Sequence, residues 1–351
     1  MHARIVLLPG DGVGPEVVAA ARQVLERVAA AFNHQFTFDS RAIGGAAIRR
    51  GGAPLPDDTI AACIEADAIL LGAVGAPEFD KQPPHLRPEA ALLQLRQRLG
   101  LYANLRPARV WPGLESAGPL KPEVLAHTDI LVVRELTGGL YYGEPRGISS
   151  DGDMAWNTMR YSRGEIERIA RTAFDAARGR KRHMTSVDKA NVLETSRLWR
   201  DVVTGMAADY PDVLVDHMYV DTCAMRVALA PASFDVILTE NLFGDIISDE
   251  AGAVVGSLGL LPSASVGEGT GLFEPVHGSA PDIAGLDVAN PIGAILSGAL
   301  LLRYALKLGA EADVVERAVA AAIAIPRRTR DIGGIASCSA VAAAVADQIT
   351  K

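Results

Sequence analysis

Short apolar runs alternate along the chain with longer stretches in which Ala and Leu recur at helical spacing. The short runs predict buried strands, at Arg4–Leu8, Ala68–Leu71 and Ile130–Val133. The longer stretches predict helices, at Glu16–Phe32, Ser162–Arg178 and Asn290–Leu308. Alternation of this kind predicts an α/β fold with a largely parallel sheet.

Composition narrows the class of protein. A chain of 351 residues can form one large or two ordinary domains, and its net charge of −8 argues against nucleic acid or an anionic membrane as partner. The first strand starts at Arg4, which leaves no room for a signal peptide, and no apolar run of membrane-spanning length lacks Gly or charge. Cys63, Cys223 and Cys338 have no metal-ligand spacing. We expect them to be small hydrophobic residues in a reducing, cytoplasmic protein.

The segment Thr239–Glu250 is the most informative in the chain. It follows the strand-like run Phe234–Thr239, and it carries Asp245 and Asp249 four positions apart. If the segment is helical, both carboxylates project from one face, one turn apart. A hard divalent ion such as Mg²⁺ or Mn²⁺ would relieve their repulsion. The alternative is a solvated acidic helix face, which the spacing alone does not exclude.

The glycine-rich turn near the start of the chain is similar to a dinucleotide-binding fingerprint but does not match it fully. Gly10–Gly14 follows a strand and precedes a helix, but the third glycine of the G-x-G-x-x-G pattern is replaced by Pro15. We therefore predict a turn that leads into a helix, with Pro15 in its first turn, and not an ordinary Rossmann fold.

A second glycine-rich stretch is a better candidate for cofactor binding. Gly267–Gly271 leads through Glu274–His277 into Gly278–Asp282, and such a loop lets backbone approach a flat ligand closely. His277 can stack on adenine, and Asp282 can accept both ribose hydroxyls while repelling a 2′-phosphate, which favours NAD over NADP. From composition alone, a mobile surface loop is the alternative.

Several single residues have the chemistry of an active site. Arg96, Arg106 and Arg134 can bind carboxylates through their paired N–H groups. Lys189 follows a predicted strand, and Tyr141 follows a Gly-Gly turn. For each of these residues an ordinary surface role is the alternative, and for Leu92 and Leu93, on the same helix as Arg96, the alternative is the hydrophobic core.

Longer motifs connect these residues to a known family. In chain order, the motifs that accompany Thr239–Glu250 are Leu8–Glu16, Val132–Gly139, Val187–Glu194, Tyr219–Asp221, Gly278–Gly285 and Asp331–Gly334. Together they resemble the β-decarboxylating dehydrogenases, the family of isocitrate and 3-isopropylmalate dehydrogenases, over nearly the whole chain. The resemblance implies a two-domain α/β fold with a mixed sheet.

The resemblance also implies domain boundaries. Residues 1–101 and 256–351 would form an NAD-binding domain. Residues 102–255 would form a second domain with the metal and catalytic residues, and the active site would lie in the cleft between the two. The segment Leu140–Trp156 would be an arm that joins two subunits of a homodimer. In such a dimer Tyr141 would serve its own subunit's site, whereas Lys189 and Asp221 would serve the partner's.

The same resemblance assigns roles to individual residues. Catalysis would use Tyr141, Lys189 and Asp221. The metal, Mg²⁺ or Mn²⁺, would be bound by Asp221, Asp245 and Asp249. The substrate would be bound by Glu89, Leu92, Leu93, Arg96, Arg106, Arg134, Val192 and Asp221. NAD would be bound by Glu274, His277, Gly278, Ser279, Ala280, Pro281, Asp282 and Asn290.

These assignments imply a two-step reaction on a malate-type acid. Lys189, through a proton relay with Asp221, would take the hydroxyl proton while hydride passes from C2 to NAD⁺, and Tyr141 would protonate C3 after CO₂ leaves. Leu92 and Leu93 favour an isopropyl group, and so 3-isopropylmalate over isocitrate. D-malate, tartrate and homoisocitrate are alternative substrates, and a regulatory subunit without turnover is an alternative of another class. Which arginine holds which carboxylate is left open.

Overall fold

The computed structural model describes residues 1–325 and 327–350. Its strands are β1 (His2–Gly10), β2 (Gln35–Ser40), β3 (Ala68–Ala73), β4 (Ala103–Arg109), β5 (Asp129–Glu135), β6 (Gly147–Ile148), β7 (Ala155–Trp156), β8 (His183–Asp188), β9 (Leu214–Tyr219), β10 (Val236–Thr239), β11 (Pro262–Val266) and β12 (Leu272–Pro275). Its α-helices are α1 (Gly14–Phe32), α2 (Gly45–Ile48), α3 (Asp57–Ile64), α4 (Pro88–Arg98), α5 (Pro122–Leu125), α6 (Arg163–Arg178), α7 (Glu194–Ala207), α8 (Val220–Leu229), α9 (Asn241–Val254), α10 (Ile292–Leu300), α11 (Gly309–Ala324) and α12 (Cys338–Asp347).

The chain divides into two compact units. The first contains Met1–Leu101, Trp111–Ala117 and the described residues from Gly256 onward, and the second contains Tyr102–Val110 and Gly118–Val255. The short segment Trp111–Ala117 therefore belongs to the first unit, whereas the family resemblance implies one continuous second domain over 102–255.

The first unit contains five strands in the order β2-β1-β3-β12-β11. β1 is parallel to both of its neighbours, and β12 is parallel to β3, but β11 runs antiparallel to β12. The sheet is therefore mixed, unlike the all-parallel sheet of an ordinary Rossmann domain. Because β1, β3 and β12 run the same way, the segments that follow them leave the sheet at one edge.

Both faces of this sheet are covered by helices. α1, α10, α11 and α12 pack together, and every residue of α10 is buried. A separate core cluster joins alternate residues of β1 and β3, such as Val6, Leu8 and Ile69, to Cys63 of α3 and Leu95 of α4. Strands covered on both faces give continuous apolar runs, which is why β1 and β3 were predictable from sequence.

The second unit contains five further strands, in the order β4-β5-β10-β8-β9, and their directions are also mixed. β4 is antiparallel to β5, whereas β5, β10, β8 and β9 are mutually parallel. α6 packs on α7 and against β5 and β10, and α8 packs on α9, which also contacts β5. The α/β class with mixed sheets is confirmed.

Most predicted elements are confirmed, with two differences. The segment Asn290–Leu308 is not one α-helix, because α10 passes into a π-helical turn at Leu301–Ala305 and Lys307 then adopts a left-handed conformation, with φ of 59°. The strand-like segment before Asp221 predicts this residue at a strand end, but it lies in the first turn of α8. Within 1–325 and 327–350, no helix has the length and apolar content needed to cross a membrane.

Candidate active site

The polar residues of the second unit gather where its parallel strands end. Arg134 lies near the end of β5, Lys189 directly follows β8, and Asp221 comes two residues after β9. α9, which follows β10, carries Asp245. Because these four strands are parallel, their carboxyl ends share one edge of the sheet, which is the usual place for ligand sites in α/β proteins.

Asp245 is at the centre of one cluster. The hydroxyl of Tyr141 donates a hydrogen bond to Asp245 Oδ2 at 2.7 Å, and the Arg134 guanidinium forms an ion pair with Asp245 Oδ1. The guanidinium carbon of Arg134 lies 5.6 Å from the centre of the Tyr141 ring. Three residues predicted for catalysis, substrate binding and metal binding are therefore in direct contact.

Asp249 lies one helical turn further along α9, as its spacing predicted. Nη1 of Arg106 lies 2.9 Å from Asp249 Oδ1 and 3.6 Å from Asp245 Oδ1. The two carboxylates thus converge on one positive charge. The same nitrogen donates to the Ser248 hydroxyl at 2.8 Å, which fixes the guanidinium against the helix.

Burial and charge set the protonation states in this cluster. Burial, together with the hydrogen bond to Asp245, raises the pKa of Tyr141 to about 12. Burial alone would raise the pKa of Asp245, but the positive charges of Arg134 and Arg106 and the hydrogen bond from Tyr141 together outweigh it and hold that pKa below its ordinary value. At neutral pH Tyr141 is therefore a protonated phenol beside an ionised carboxylate.

Lys189 and Asp221 form a separate pair in the second unit. Lys189 Nζ lies 2.5 Å from Asp221 Oδ1, and this hydrogen bond lowers the pKa of Asp221. Val192 follows in the same loop and is 60% exposed. Among the described residues, no group of three or more His, Cys, Asp or Glu side chains is placed to hold a metal. One chain therefore does not bring Asp221 together with both Asp245 and Asp249.

Asn241 is a site residue that sequence reasoning missed. Its side-chain oxygen accepts hydrogen bonds from Arg134 Nε at 3.0 Å and Nη2 at 2.8 Å, and its amide group donates to the Gly138 carbonyl at 3.0 Å. It thereby holds Arg134 against the turn that leads to Tyr141. The available signal was its position two residues after β10, at the sheet edge where the other site residues lie.

In the first unit, the turn Gly10–Gly14 contacts the predicted cofactor loop. The N–H of Val13 donates to the Ser279 carbonyl at 2.8 Å. Gly12 has φ of 57°, and a Cβ there would lie 1.8 Å from the Ser279 oxygen, so only glycine allows this approach. α1 begins at Gly14 with Pro15 in its first turn, as predicted.

Glu89 lies close to the same loop. A Cβ built on Gly75 would be 3.3 Å from Glu89 Oε1 and 3.2 Å from Ser279 Oγ. A residue predicted to bind substrate and one predicted to bind NAD therefore face the same short stretch of backbone. This stretch follows β3, at the edge where the segments after β1 and β12 also leave the sheet.

Arg96 and Glu274 form a buried ion pair. Arg96 Nη2 lies 2.6 Å from Glu274 Oε1, and both side chains are about nine-tenths buried. Nε of Arg96 is buried without a hydrogen-bond partner among the described residues. Glu274 therefore fixes one side of the guanidinium, and Nε is left as a donor.

The three residues predicted to contact the adenosine of NAD differ in their burial and hydrogen bonding. Nε2 of His277 is buried without a hydrogen-bond partner among the described residues, and burial lowers the pKa of this imidazole, which favours the neutral form. Asp282 is exposed in the turn Pro281–Ile283. Asn290 is engaged within the protein, because its oxygen accepts from the N–H of Ile292 at 3.0 Å and its amide donates to Asp331 at 2.9 Å.

The glycines at 267–271 have a structural use that composition did not reveal. The segment is the hairpin between β11 and β12, and a Cβ on Gly267 would lie 2.0 Å from the Gly100 carbonyl oxygen. Close contact with the backbone at Leu99 and Gly100 therefore explains Gly267 and Gly269 without a ligand.

Leu92 and Leu93 differ from the core residues of their helix. Ala91 and Leu95 of α4 are completely buried, whereas Leu92 is partly buried and Leu93 is 42% exposed. The hydrophobic-core alternative is therefore wrong for Leu93. An exposed leucine on the helix that also carries Glu89 and Arg96 is available to an apolar ligand.

Comparisons with known proteins agree with the motifs. A family model described as isocitrate/isopropylmalate dehydrogenase matches residues 4–345. A 3-isopropylmalate dehydrogenase of Oceanobacillus iheyensis is 56% identical over 320 residues, which cover 91% of this chain and 87% of that protein. One of Bacillus subtilis is 55% identical over 336 residues, 95% of this chain and 92% of that protein. The crystal structure of isocitrate dehydrogenase from Methylococcus capsulatus matches 100% of both chains with a TM-score of 0.89 and 36% identity.

Proposed function

Since the chain belongs to the isocitrate/isopropylmalate dehydrogenase family and is an oxidative decarboxylating dehydrogenase, we propose that its substrate is 3-isopropylmalate. The enzyme would oxidise C2 with NAD and a divalent metal ion and release CO₂, leaving 4-methyl-2-oxopentanoate for leucine biosynthesis. The observation that carries the substrate choice is the exposure of Leu93 on α4, beside partly buried Leu92.

Physical chemistry separates the candidate acids at this helix. Burying three carbons of an isopropyl group contributes about 2 kcal/mol, at about 0.8 kcal/mol for each carbon. The same leucines disfavour isocitrate, whose third carboxylate would lose its hydration against apolar side chains. D-malate and tartrate have no alkyl group to bury, and homoisocitrate carries the extra carboxylate. Steady-state rates on the five acids with NAD⁺ and Mg²⁺ test the proposal, and a higher kcat/KM for any acid other than 3-isopropylmalate would overturn it.

Asp245 and Asp249 suit a divalent cation. Both carboxylates already converge on one positive charge, Nη1 of Arg106, and their oxygens are the hard donors that Mg²⁺ and Mn²⁺ prefer. We propose that these two residues hold the ion together with Asp221 of the partner subunit. When bound, the ion supplies a Lewis acid at the C2 oxygen of the substrate.

The loop that follows β12 suits NAD, which accepts the hydride. Nε2 of His277 is buried and has no hydrogen-bond partner among the described residues, and Asp282 presents an exposed carboxylate that can accept both ribose hydroxyls. Glu274, Asn290 and the segment Gly278–Pro281 complete the proposed set. Of these, Asn290 has its side chain engaged by Ile292 and Asp331, so backbone contact is the simpler role for it.

The chain's own residues perform the proton transfers. Arg96, Arg106 and Arg134 bind the two carboxylates of the substrate and orient C2 and C3. Lys189, whose partner is Asp221 at 2.5 Å, takes the C2 hydroxyl proton and passes it to that carboxylate. Tyr141 remains protonated at neutral pH, because its pKa is about 12, and so can donate its proton to C3.

We propose a homodimer in which two chains complete each site. α8 and α9, which pack together, expose Met225, Leu229 and Ile246. The hairpin β6–β7 exposes Ile148 and Trp156. Exposed apolar residues of this kind are typical of subunit contacts. A partner's Asp221 would supply the third carboxylate that the described residues of one chain do not bring to Asp245 and Asp249.

We propose that the protein is a cytoplasmic enzyme rather than a regulatory subunit. Cys63, Cys223 and Cys338 are all buried free thiols, and burial raises the pKa of each to about 12, which makes them unreactive. Free thiols fit a cytoplasmic protein. A regulatory subunit without turnover is disfavoured, because Tyr141 and Lys189 are both present together with the three aspartates.

Changing Leu92 and Leu93 to Ser tests the substrate proposal. We expect kcat/KM for 3-isopropylmalate to fall about 30-fold more than for D-malate, since about 2 kcal/mol of apolar burial is lost only with the former. The matched control is Ile64→Ser, which changes an exposed apolar residue at the end of α3 and should leave both acids unaffected. Equal losses on the two acids would mean that the leucines only support the fold.

Changing Asp282 to Lys tests the cofactor proposal. The wild type should prefer NAD⁺ strongly, and Asp282→Lys should reduce or reverse that preference by removing the repulsion of a 2′-phosphate and adding a cation. The ratio of kcat/KM values for NAD⁺ and NADP⁺ measures this. Asp347→Lys, which makes the same charge change at the exposed last residue of α12, is the control. An unchanged ratio in Asp282→Lys would show that the ribose is recognised elsewhere.

A further inference from the structure

The loop that follows β12 is attached at two points to the start of α1, once at the residue before the helix and once in its first turn. At its start, the Ser279 carbonyl accepts the N–H of Val13 at 2.8 Å. At its end, the carboxylate of Glu16 accepts the N–H of Gly285 and, at 3.1 Å, the N–H of Asp287. Asp282, the residue proposed to recognise the ribose, lies between these attachments.

The end of the loop has a backbone that needs such support. Gly285 has φ of 76° and Asp287 has φ of 57°, so both lie in the left-handed region, which a non-glycine residue such as Asp287 rarely adopts. The backbone N–H groups of Gly285 and Asp287 both donate hydrogen bonds to the side chain of Glu16. Hydrogen bonds to an ionised carboxylate are stronger than those between neutral groups.

Asp287 is also bound on its other side. Its carboxylate accepts the N–H of Ser339 at 2.8 Å and the hydroxyl of Ser339 at 2.5 Å, and its carbonyl accepts the N–H of Cys338 at 2.8 Å. The end of the loop is thus held between the first turn of α1 and the first turn of α12.

We propose that Glu16 is a positioning residue for cofactor binding. It holds residues 283–287 in the conformation that places Asp282 for the ribose, so that NAD binds a preformed loop. This inference rests on the proposed function, since it takes the segment 277–282 to be the NAD site. Glu16 itself is not placed against reacting atoms, and its role is to raise the fraction of molecules in which the loop is ready to bind.

Loss of the Glu16 carboxylate should weaken the binding of NAD without slowing turnover at saturating NAD. If Glu16→Ala lowers the binding-competent fraction to about a tenth, the dissociation constant of NAD rises about tenfold. Turnover at saturating NAD and the KM for 3-isopropylmalate should stay within about twofold of wild type, because the bound cofactor restores the loop conformation. A general loss of structure would instead lower turnover and weaken both substrates together.

Three variants and two readouts test it. Glu16→Ala removes both acceptors, Glu16→Gln keeps one neutral acceptor, and Glu26→Ala is the control on the same helix, where Glu26 pairs with Arg22 on the surface. Deuterium uptake of residues 283–288 in the NAD-free protein reports the loop directly, and a calorimetric titration gives the dissociation constant of NAD. We expect faster uptake and weaker binding in the order Glu16→Ala, then Glu16→Gln, with Glu26→Ala equal to wild type.

Two results would overturn the proposal. The first is an unchanged dissociation constant in Glu16→Ala, with or without faster deuterium uptake. The second is a fall in turnover that matches the loss of NAD binding, in a folded Glu16→Gln protein. A wild type that does not bind NAD would be a different failure, because it would remove the assignment of the loop to the cofactor and the role of Glu16 with it.

Discussion

Replacing Asp245 by Asn is expected to lower kcat by at least about 10²-fold, a loss typical of removing one electrostatic partner of the transition state. Asp245 contacts Tyr141 and Arg134 in addition to its proposed role as a metal ligand. The substitution keeps the size of the side chain but removes its charge, so it weakens cation binding and frees the arginine. Titration with Mn²⁺ should show a weaker complex, and exhaustive chelation of the wild type should abolish activity until the ion is returned.

The matched control for this prediction is Asp212→Asn. Asp212 pairs with Arg178 at 2.7 Å on the surface of the same unit, so its loss removes a carboxylate–arginine pair without touching the site. Full activity in Asp245→Asn, or undiminished wild-type activity after chelation, would refute the metal assignment. A drop of equal size in Asp212→Asn would show that loss of any such ion pair destabilises the protein.

Mixing two inactive variants, Lys189→Ala and Tyr141→Phe, is expected to restore about a quarter of wild-type activity. The proposal is that Tyr141 serves its own subunit's site and Lys189 the partner's. In a mixed dimer one site then contains both intact residues, and the other contains both defects. Random reassociation at equal amounts gives half mixed dimers with half their sites whole. The measurement is activity after joint unfolding and refolding.

Two comparisons make this result interpretable. Mixing the variants without unfolding should restore little activity, and refolding each variant alone should restore none. If both residues served the same subunit, every site in every dimer would contain one defect. Mixed dimers that are proven to form but stay inactive would therefore refute the shared site.

The local part of this site was predictable from sequence. The strand at Val236–Thr239 and the helix from Asn241 were visible as an apolar run followed by helical spacing, and that spacing placed Asp245 and Asp249 on one face. Lys189 and Arg134 were recognisable at strand ends. These inferences use residues within one or two turns of each other, where geometry follows from periodicity alone.

The long-range part was not predictable from the residues alone. Tyr141 and Asp245 are 104 positions apart in the chain, and Arg96 and Glu274 are 178 apart. A local sequence pattern cannot predict contacts over such separations. The use of Asn241 to hold Arg134 was missed for the same reason. The structural use of Gly267 and Gly269 was not visible in the sequence, because a close approach to backbone and a close approach to a ligand demand the same residue.

The most direct test of the central claim is the stoichiometry of the reaction on 3-isopropylmalate. The purified protein would be incubated with a limiting amount of this acid, excess NAD⁺ and Mg²⁺, and NADH, CO₂ and 4-methyl-2-oxopentanoate would be quantified at completion. We predict equal amounts of all three products, one of each per molecule of acid consumed. The account would be contradicted if the protein formed no NADH from 3-isopropylmalate but turned over another of the candidate acids.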